Sequence, residues 1–236
     1  NKLEPGRRRR TTRPYQSLAV CMIAKDEEDW ITMCLKQVYE IADKIVIALD
    51  NRTSDATRFL IENLDKDDKI EIRDVAFEDF AQVRNASIEG IKEDWILWID
   101  ADERCTEPAK VRRYLASQIH EGFSLKQAHL MLDVHGTYDV PIRLLRNRKN
   151  YKFVGCIHEH CEDVDPALAE KNGYDISLKP SILIQDCQLA HYGYVDEKQR
   201  RAKCSNRNMA LLQKDIKVYG EKGRLMSYVL AIRDYL

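Results

Sequence analysis

Two aspartates two positions apart, Asp100 and Asp102, follow the apolar run Trp95-Ile-Leu-Trp-Ile99. A buried strand at that run delivers both carboxylates into one loop. Hard divalent cations take oxygen ligands, and Mg2+ or Mn2+ commonly combines one or two carboxylates with substrate phosphates. Such an ion neutralises the charge that develops on a departing diphosphate. Asp-x-Asp alone is common in solvated acidic turns, so its weight comes from its place at the end of an apolar segment. Two more polar clusters follow apolar runs in the same way, Lys25-Asp26-Glu27-Glu28 and residues 50–55. A fourth cluster, Cys156-Ile-His158-Glu-His160-Cys161, gathers zinc-type ligands. On a strand, residues 156, 158 and 160 would share a face. Structural zinc sites usually draw on two separated knuckles, which weighs against zinc here.

The elements that must hold these groups are legible from periodicity. Leu18-Ala-Val-Cys-Met-Ile-Ala24 is a continuous apolar run, as in a parallel strand buried on both faces. Trp30, Cys34, Val38 and Ile41 then follow a helical period. Residues 44–49 form a second buried strand that stops at the polar turn 50–55. Ser54 or Asp55 caps a helix running to about Leu64. Residues 70–75 alternate as a third strand, 79–93 form a helix, and 95–99 a fourth strand. Repeated β-then-α units predict a parallel, Rossmann-like sheet with ligands at the carboxyl ends of its strands. Shorter strands are expected over 126–134, 141–147 and 151–157, with Pro141 at a strand start or edge, and another within 178–190. From Val195 the sequence predicts two helices broken near Gly220 and Gly223, the last over 224–236. The expected organisation is a flexible basic tail over 1–16, an α/β domain over 17–194 and an α-helical C-terminal extension over 195–236.

Bulk properties narrow the classes. Lys plus Arg (38) nearly balances Asp plus Glu (39), so no global field argues for nucleic acid or an anionic membrane. The basic tail and the stretch Lys198-Gln-Arg200-Arg201-Ala-Lys203 are the only support for a nucleic-acid partner. The longest clean apolar run is residues 18–24, far short of the roughly 20 residues a membrane span needs. The seven cysteines are irregularly spaced, which suits free thiols in a reducing, cytoplasmic compartment. No Gly-x-Gly-x-x-Gly follows the first strand, and there is neither a P-loop nor a Gly-x-Ser-x-Gly elbow.

The motifs occur in a specific order: Met22-Ile-Ala-Lys-Asp-Glu-Glu28, Ala48-Leu-Asp-Asn-Arg-Thr-Ser-Asp-Ala-Thr57, Phe80-Ala-Gln-Val-Arg-Asn-Ala86 and residues 95–103. Arg143-Leu-Leu-Arg146, Gly155-Cys-Ile-His-Glu159 and Leu189-Ala-His-Tyr-Gly-Tyr194 follow. In this order and spacing the chain resembles the family 2 glycosyltransferases of the soluble bacterial or phage kind, which have the GT-A fold. The resemblance implies metal-dependent transfer of a sugar from a nucleotide-diphosphate donor, most commonly a UDP-sugar, with inversion. It places Ala24, Lys25 and Glu27 along the nucleotide and Asp50 on the base or ribose. Many relatives carry a small Gly-containing turn after this Asp; here Arg52 stands in it. Arg84 is expected toward the donor or its diphosphate, or else paired with an acid. Asp102 is the expected direct ligand of Mn2+ or Mg2+, Asp100 meets the ribose or a metal-bound water, and His191 supplies a further metal ligand. Glu159 is the expected general base and His158 the second choice; such help is worth roughly 10²–10⁴ in rate. The acceptor stays open among a glycan, a lipid-linked sugar, a peptide and a modified DNA base. The rivals are a nucleotidyltransferase, which should carry an early Gly-rich phosphate loop, and a silent module that binds nucleotides, glycans or nucleic acid.

Overall fold

The computed structural model describes residues 15–117, 119–130, 138–147, 151–163, 182–193 and 207–223. The first half alternates as its periodicity predicts: β1 (Leu18–Ala24), α1 (Ile31–Tyr39), β2 (Lys44–Asp50), α2 (Thr57–Leu64), β3 (Ile70–Val75), α3 (Phe80–Ile88) and β4 (Trp95–Trp98). β5 (Glu103–Cys105), α4 (Pro108–Tyr114), β6 (Gly122–His129), β7 (Tyr138–Asp139) and β8 (Ile142–Arg146) follow. Then come β9 (Tyr151–Val154), β10 (His160–Asp163), β11 (Ile182–His191) and α5 (Met209–Gly223).

The main sheet runs β3-β2-β1-β4-β8-β6-β11-β5, with β7 paired to β6; β9 and β10 form a separate ladder. β1 to β4 are mutually parallel, because each return passes through a helix. Their residues are almost wholly apolar and buried: Leu18, Val20, Met22, Ile45, Ile47, Leu49, Trp95 and Leu97 pack into one core with α1 and α2. β8 reverses the direction against β4, and β6 reverses it again against β8. β11 lies parallel to β6, and β5 antiparallel to β11.

These directions place six segments at one edge of the sheet. They are the carboxyl ends of β1, β2, β4, β6 and β11, and the amino end of β8. Leu97 pairs with Leu144, so Arg143 sits beside the exit of β4, and His191 pairs with both His129 and Glu103.

Several boundaries differ from the sequence expectation. α3 stops at Ile88, because Gly90 takes a left-handed φ of +68° and turns the chain out of the helix. β6 starts earlier than expected, at Gly122, and ends at His129; residues 131–134 lie outside the described residues. β9 ends at Val154, since Gly155 (φ +105°) and His158 (φ +51°) bend the next segment into a loop. Residues 156, 158 and 160 therefore share no strand face. Gly220 does not break a helix: α5 runs through it. The tail to residue 14, the stretch 198–203 and the helix expected over 224–236 lie outside the described residues.

Candidate active site

Asp102 and His191 meet at the exit of β4. The Asp100–Glu103 turn closes through the Glu103 amide, which donates to the Asp100 carbonyl at 3.1 Å. The Tyr192 amide donates to the Asp102 carbonyl at 2.9 Å, tying the exit of β11 to this turn. As a result His191 Nε2 and Asp102 Oδ2 lie 3.3 Å apart. Gly193 completes the corner. A methyl group there would collide with the Asp102 carboxylate and sit 2.9 Å from His191 Nε2, so only glycine leaves the space between the two donors open.

This pair fits a divalent ion. Bonds of about 2.1 Å in octahedral geometry put neighbouring ligands roughly 3 Å apart. One carboxylate oxygen with one imidazole suits Mn2+ better than Ca2+. Among the described residues no group of three or more acidic, His or Cys side chains could hold a metal ion. The residues 156–161 form no zinc cluster: the His160 ring pairs with Glu162 and Cys156 is buried.

Beneath this corner lies a buried ionic layer. Arg84 donates through Nε to Glu159 at 3.0 Å and also pairs with Asp100. Arg143 donates through Nη2 to Glu103 at 2.8 Å and lies 3.6 Å from the second oxygen of Asp100. Both guanidinium groups lie over the Trp98 ring, 4.7 and 3.7 Å from its centroid. Glu103 also accepts from the Asp100 amide at 2.8 Å and from Gln127 at 2.6 Å. Burial opposes ionisation of Asp100, but Arg84 and Arg143 outweigh it and hold the carboxyl at about 2. Burial and the Asp100 charge push Glu103 up to about 7, against the pull of Arg143. Three buried nitrogens, Arg84 Nη1, Arg143 Nε and Arg143 Nη1, have no hydrogen-bond partner among the described residues.

The residues expected on the donor side occupy the ends of β1 and β2. Asp50 is buried, and Arg52 closes over it: the Arg52 amide, Nε and Nη2 donate at 2.9, 3.0 and 2.6 Å. That grip holds the Asp50 carboxyl below the usual carboxylate range. Lys25 pairs with Asp26, whose left-handed backbone (φ +51°) lets its carboxylate accept from the Ser54 amide at 2.8 Å. The Glu27 amide donates to Thr57 Oγ1 at 2.7 Å. The loops after β1 and β2 are thereby laced together. Ala24, Lys25, Glu27, Asp50 and Arg52 line one side of the edge.

Glu159 and His158 lie in the loop between β9 and β10, which the Phe80 amide ties to α3 by donating to the Cys156 carbonyl at 3.1 Å.

Sequence reasoning passed over part of this assembly. Gln127 carried no signal in an otherwise alternating strand. Glu103 reads as the end of an acidic turn, although it is fully buried. His129 could have been found from the strand pairing that sets it beside His191, but only if that pairing were known. Asp215 lies on α5, yet its carboxylate accepts from the Cys156 amide at 2.6 Å.

Comparison with known proteins bears on the family and the fold. The model of glycosyl transferase family 2 matches residues 19–124. A TPR repeat-containing protein of Synechococcus elongatus is 29% identical over 199 residues, covering 82% of this chain and 47% of its own length. The SPbeta prophage-derived glycosyltransferase SunS of Bacillus subtilis is 25% identical over 216 residues, covering 88% of this chain and 47% of its own. The chain thus spans about half the length of the curated relatives it matches. Among solved structures, a mannosyltransferase of Pyrobaculum calidifontis in complex with GDP-Man and Mn2+ superposes with a TM-score of 0.55 at 15% identity. That match covers 94% of this chain and 69% of the other, and shows a shared fold.

Proposed function

We infer from the family 2 glycosyltransferase domain of GT-A fold that this chain carries that it moves a sugar from a nucleotide-diphosphate donor to an acceptor hydroxyl or comparable nucleophile, by direct displacement at the anomeric carbon. The observation that carries the reading is the convergence of Asp102 Oδ2 and His191 Nε2, 3.3 Å apart, over a glycine that keeps the corner open.

In this reading Asp102 and His191 hold Mn2+ or Mg2+. The ion supplies the positive charge that a diphosphate needs as it departs. Asp50 accepts a hydrogen bond from the base or ribose once Arg52 swings off it, and Ala24, Lys25 and Glu27 line the nucleotide. Asp100 meets the ribose or an ordered water. Its own charge is secured by Arg84 and Arg143 rather than by the substrate. Glu159 takes the proton from the acceptor. The acceptor atom then bonds to the anomeric carbon as the carbon–oxygen bond to the diphosphate breaks, and the diphosphate leaves with the electron pair. A single displacement inverts the anomeric configuration. Arg84 acts on this step through position: one guanidinium links the Asp100 carboxylate at the metal corner to Glu159 on the acceptor side. A uridine nucleotide is the donor the resemblance favours. The working unit is the α/β domain over 17–194, with the helical segment after it as a support.

The test is nucleotide release from a panel of UDP- and GDP-sugars, with and without Mn2+, by the parent and by Asp102→Ala. Slow metal-dependent hydrolysis of one donor, lost in the variant, is the expected result and names the donor. Undiminished release by Asp102→Ala would overturn the metal assignment. No release and no metal-dependent nucleotide binding would leave a silent binding module.

A further inference from the structure

His191 does not stand alone behind the metal corner. Its Nδ1 lies 2.9 Å from Nδ1 of His129, the residue directly beside it on β6. His129 Nε2 in turn lies 3.1 Å from Asp139 Oδ2 on β7. Both imidazoles are nearly buried, and their rings meet edge to face. The four side chains form one line: Asp102, His191, His129, Asp139.

The protons in this line can be arranged in two directions. A contact between two Nδ1 atoms holds one proton, on one ring or the other. In the first arrangement Asp139 accepts from His129 Nε2–H. His129 then presents a bare Nδ1, which accepts from His191 Nδ1–H and turns the His191 Nε2 lone pair toward Asp102 Oδ2, 3.3 Å away. In the second, His129 Nδ1–H donates to His191, whose proton sits on Nε2 and whose lone pair is consumed. That arrangement sets the bare Nε2 of His129 against the Asp139 carboxylate, two acceptors 3.1 Å apart. The first direction sets the bare His191 Nε2 against the Asp102 carboxylate in the same way, 3.3 Å apart, and a cation between those two atoms relieves that conflict; with the ion in place the Asp139 carboxylate completes the first direction.

We propose that His129 and Asp139 are positioning residues for the metal corner. They fix the His191 tautomer and ring orientation so that its Nε2 lone pair points at the space beside Asp102. The proposal rests on the assignment of that corner as the divalent-ion site. Ligating imidazoles generally need such a partner on the far nitrogen, and losing it costs about 10–100-fold in metal affinity.

Mn2+ binding measured by electron paramagnetic resonance, alone and with UDP, tests this on the parent, Asp102→Ala, His191→Ala, His129→Leu and His129→Asn. Asparagine keeps an acceptor oxygen near the position of Nδ1, whereas leucine fills the space without one. The expected result is a 10–100-fold loss in His129→Leu that His129→Asn largely restores. Parent-like binding by His129→Leu, with His191→Ala defective, would overturn the relay and leave the metal corner standing. Equal losses in folded His129→Leu and His129→Asn would also overturn it, as a packing effect. Parent-like binding by Asp102→Ala would mean that the metal assignment itself had failed, and the relay with it. A readout independent of Mn2+ affinity is the nitrogen-15 spectrum of the imidazoles with diamagnetic Mg2+ and UDP bound, at a pH well above their ordinary range. It should show His191 protonated at Nδ1 and His129 at Nε2; the reverse pattern would overturn the proposal.

Discussion

Arg84 lies within the protein at 3% exposure, yet faces two carboxylates and a ring face. Removing one member of a buried ionic set leaves the others without compensation, typically at about 3–5 kcal/mol. Arg84→Leu is therefore expected to lower stability by about 3 kcal/mol or more, read as a drop in the urea midpoint. Arg84→Lys keeps the charge but loses the planar fork that reaches Asp100 and Glu159 together. It should keep donor hydrolysis and lose transfer to the acceptor, which a comparison of the two rates would reveal. Arg52 makes the opposite case. Its side chain is 59% exposed, so Arg52→Ala should leave the urea midpoint nearly unchanged. By removing both guanidinium bonds to Asp50, while the residue-52 amide keeps its own, it should however tighten nucleotide binding in calorimetry. Unchanged or weaker binding would mean that Arg52 itself contacts the nucleotide. The sequence pointed to both arginines, because each lies within a motif. It did not show the partners of Arg84, since ion pairs between the exit of β4, α3 and the β9–β10 loop depend on tertiary placement; the Arg52–Asp50 pair is local, two residues apart.

At the scale of elements, the parallel half was legible because its strands are apolar on both faces and its helices keep a helical period. The mixed half was harder to read. β5 has only three residues, too few to show a period, and α4 begins on Pro108 with a single buried residue, Val111. β11 exposes most of its first half, with Ile182 and Leu183 on the surface, so its pattern reads weakly. The role of α5 was invisible from its sequence. Its Asp215 accepts from the Cys156 amide, Tyr219 OH accepts from the Gly155 amide at 3.2 Å, and Lys214 pairs with Asp79 at the start of α3. One helix thereby braces both the loop that carries Glu159 and the helix that carries Arg84. Asp215 is almost fully buried. Asp215→Ala leaves a buried amide without an acceptor, which costs about 1–3 kcal/mol. The expected outcome is faster hydrogen exchange confined to residues 155–159 and a lower urea midpoint, with Mn2+ binding at Asp102 kept. Unchanged exchange in that loop would show that α5 does not brace it.

For the whole molecule, net charge is close to zero, so self-repulsion contributes little near neutral pH and specific carboxylate pairs govern the acid response. Arg73, then Lys44, hold Glu71 at about 2. Lys25 and the Ser54 amide lower Asp26, and Arg52 lowers Asp50. Asp100 stands at about 2 under its two arginines in spite of burial. All four shifts have one sign. A carboxyl whose folded value lies below its unfolded value binds fewer protons folded than unfolded. Its contribution is complete above the unfolded value and is lost as pH falls through the folded one. These four together predict stability that falls steadily from the ordinary carboxylate range toward pH 2; Glu103, raised to about 7 by burial, has the opposite sign and adds stability as pH falls from about 7 toward 4.5. Glu71 gives the cleanest single test, because it lies on the edge strand β3, away from the metal corner. Its window runs from 4.5 down to about 2. The side chain is 39% exposed, so solvent screening keeps its share small. Urea midpoints taken across that window should fall less steeply for Glu71→Gln than for the parent and coincide in slope above it. Identical slopes throughout would mean that the Arg73 and Lys44 contacts persist in the unfolded chain or carry no net energy in the folded one.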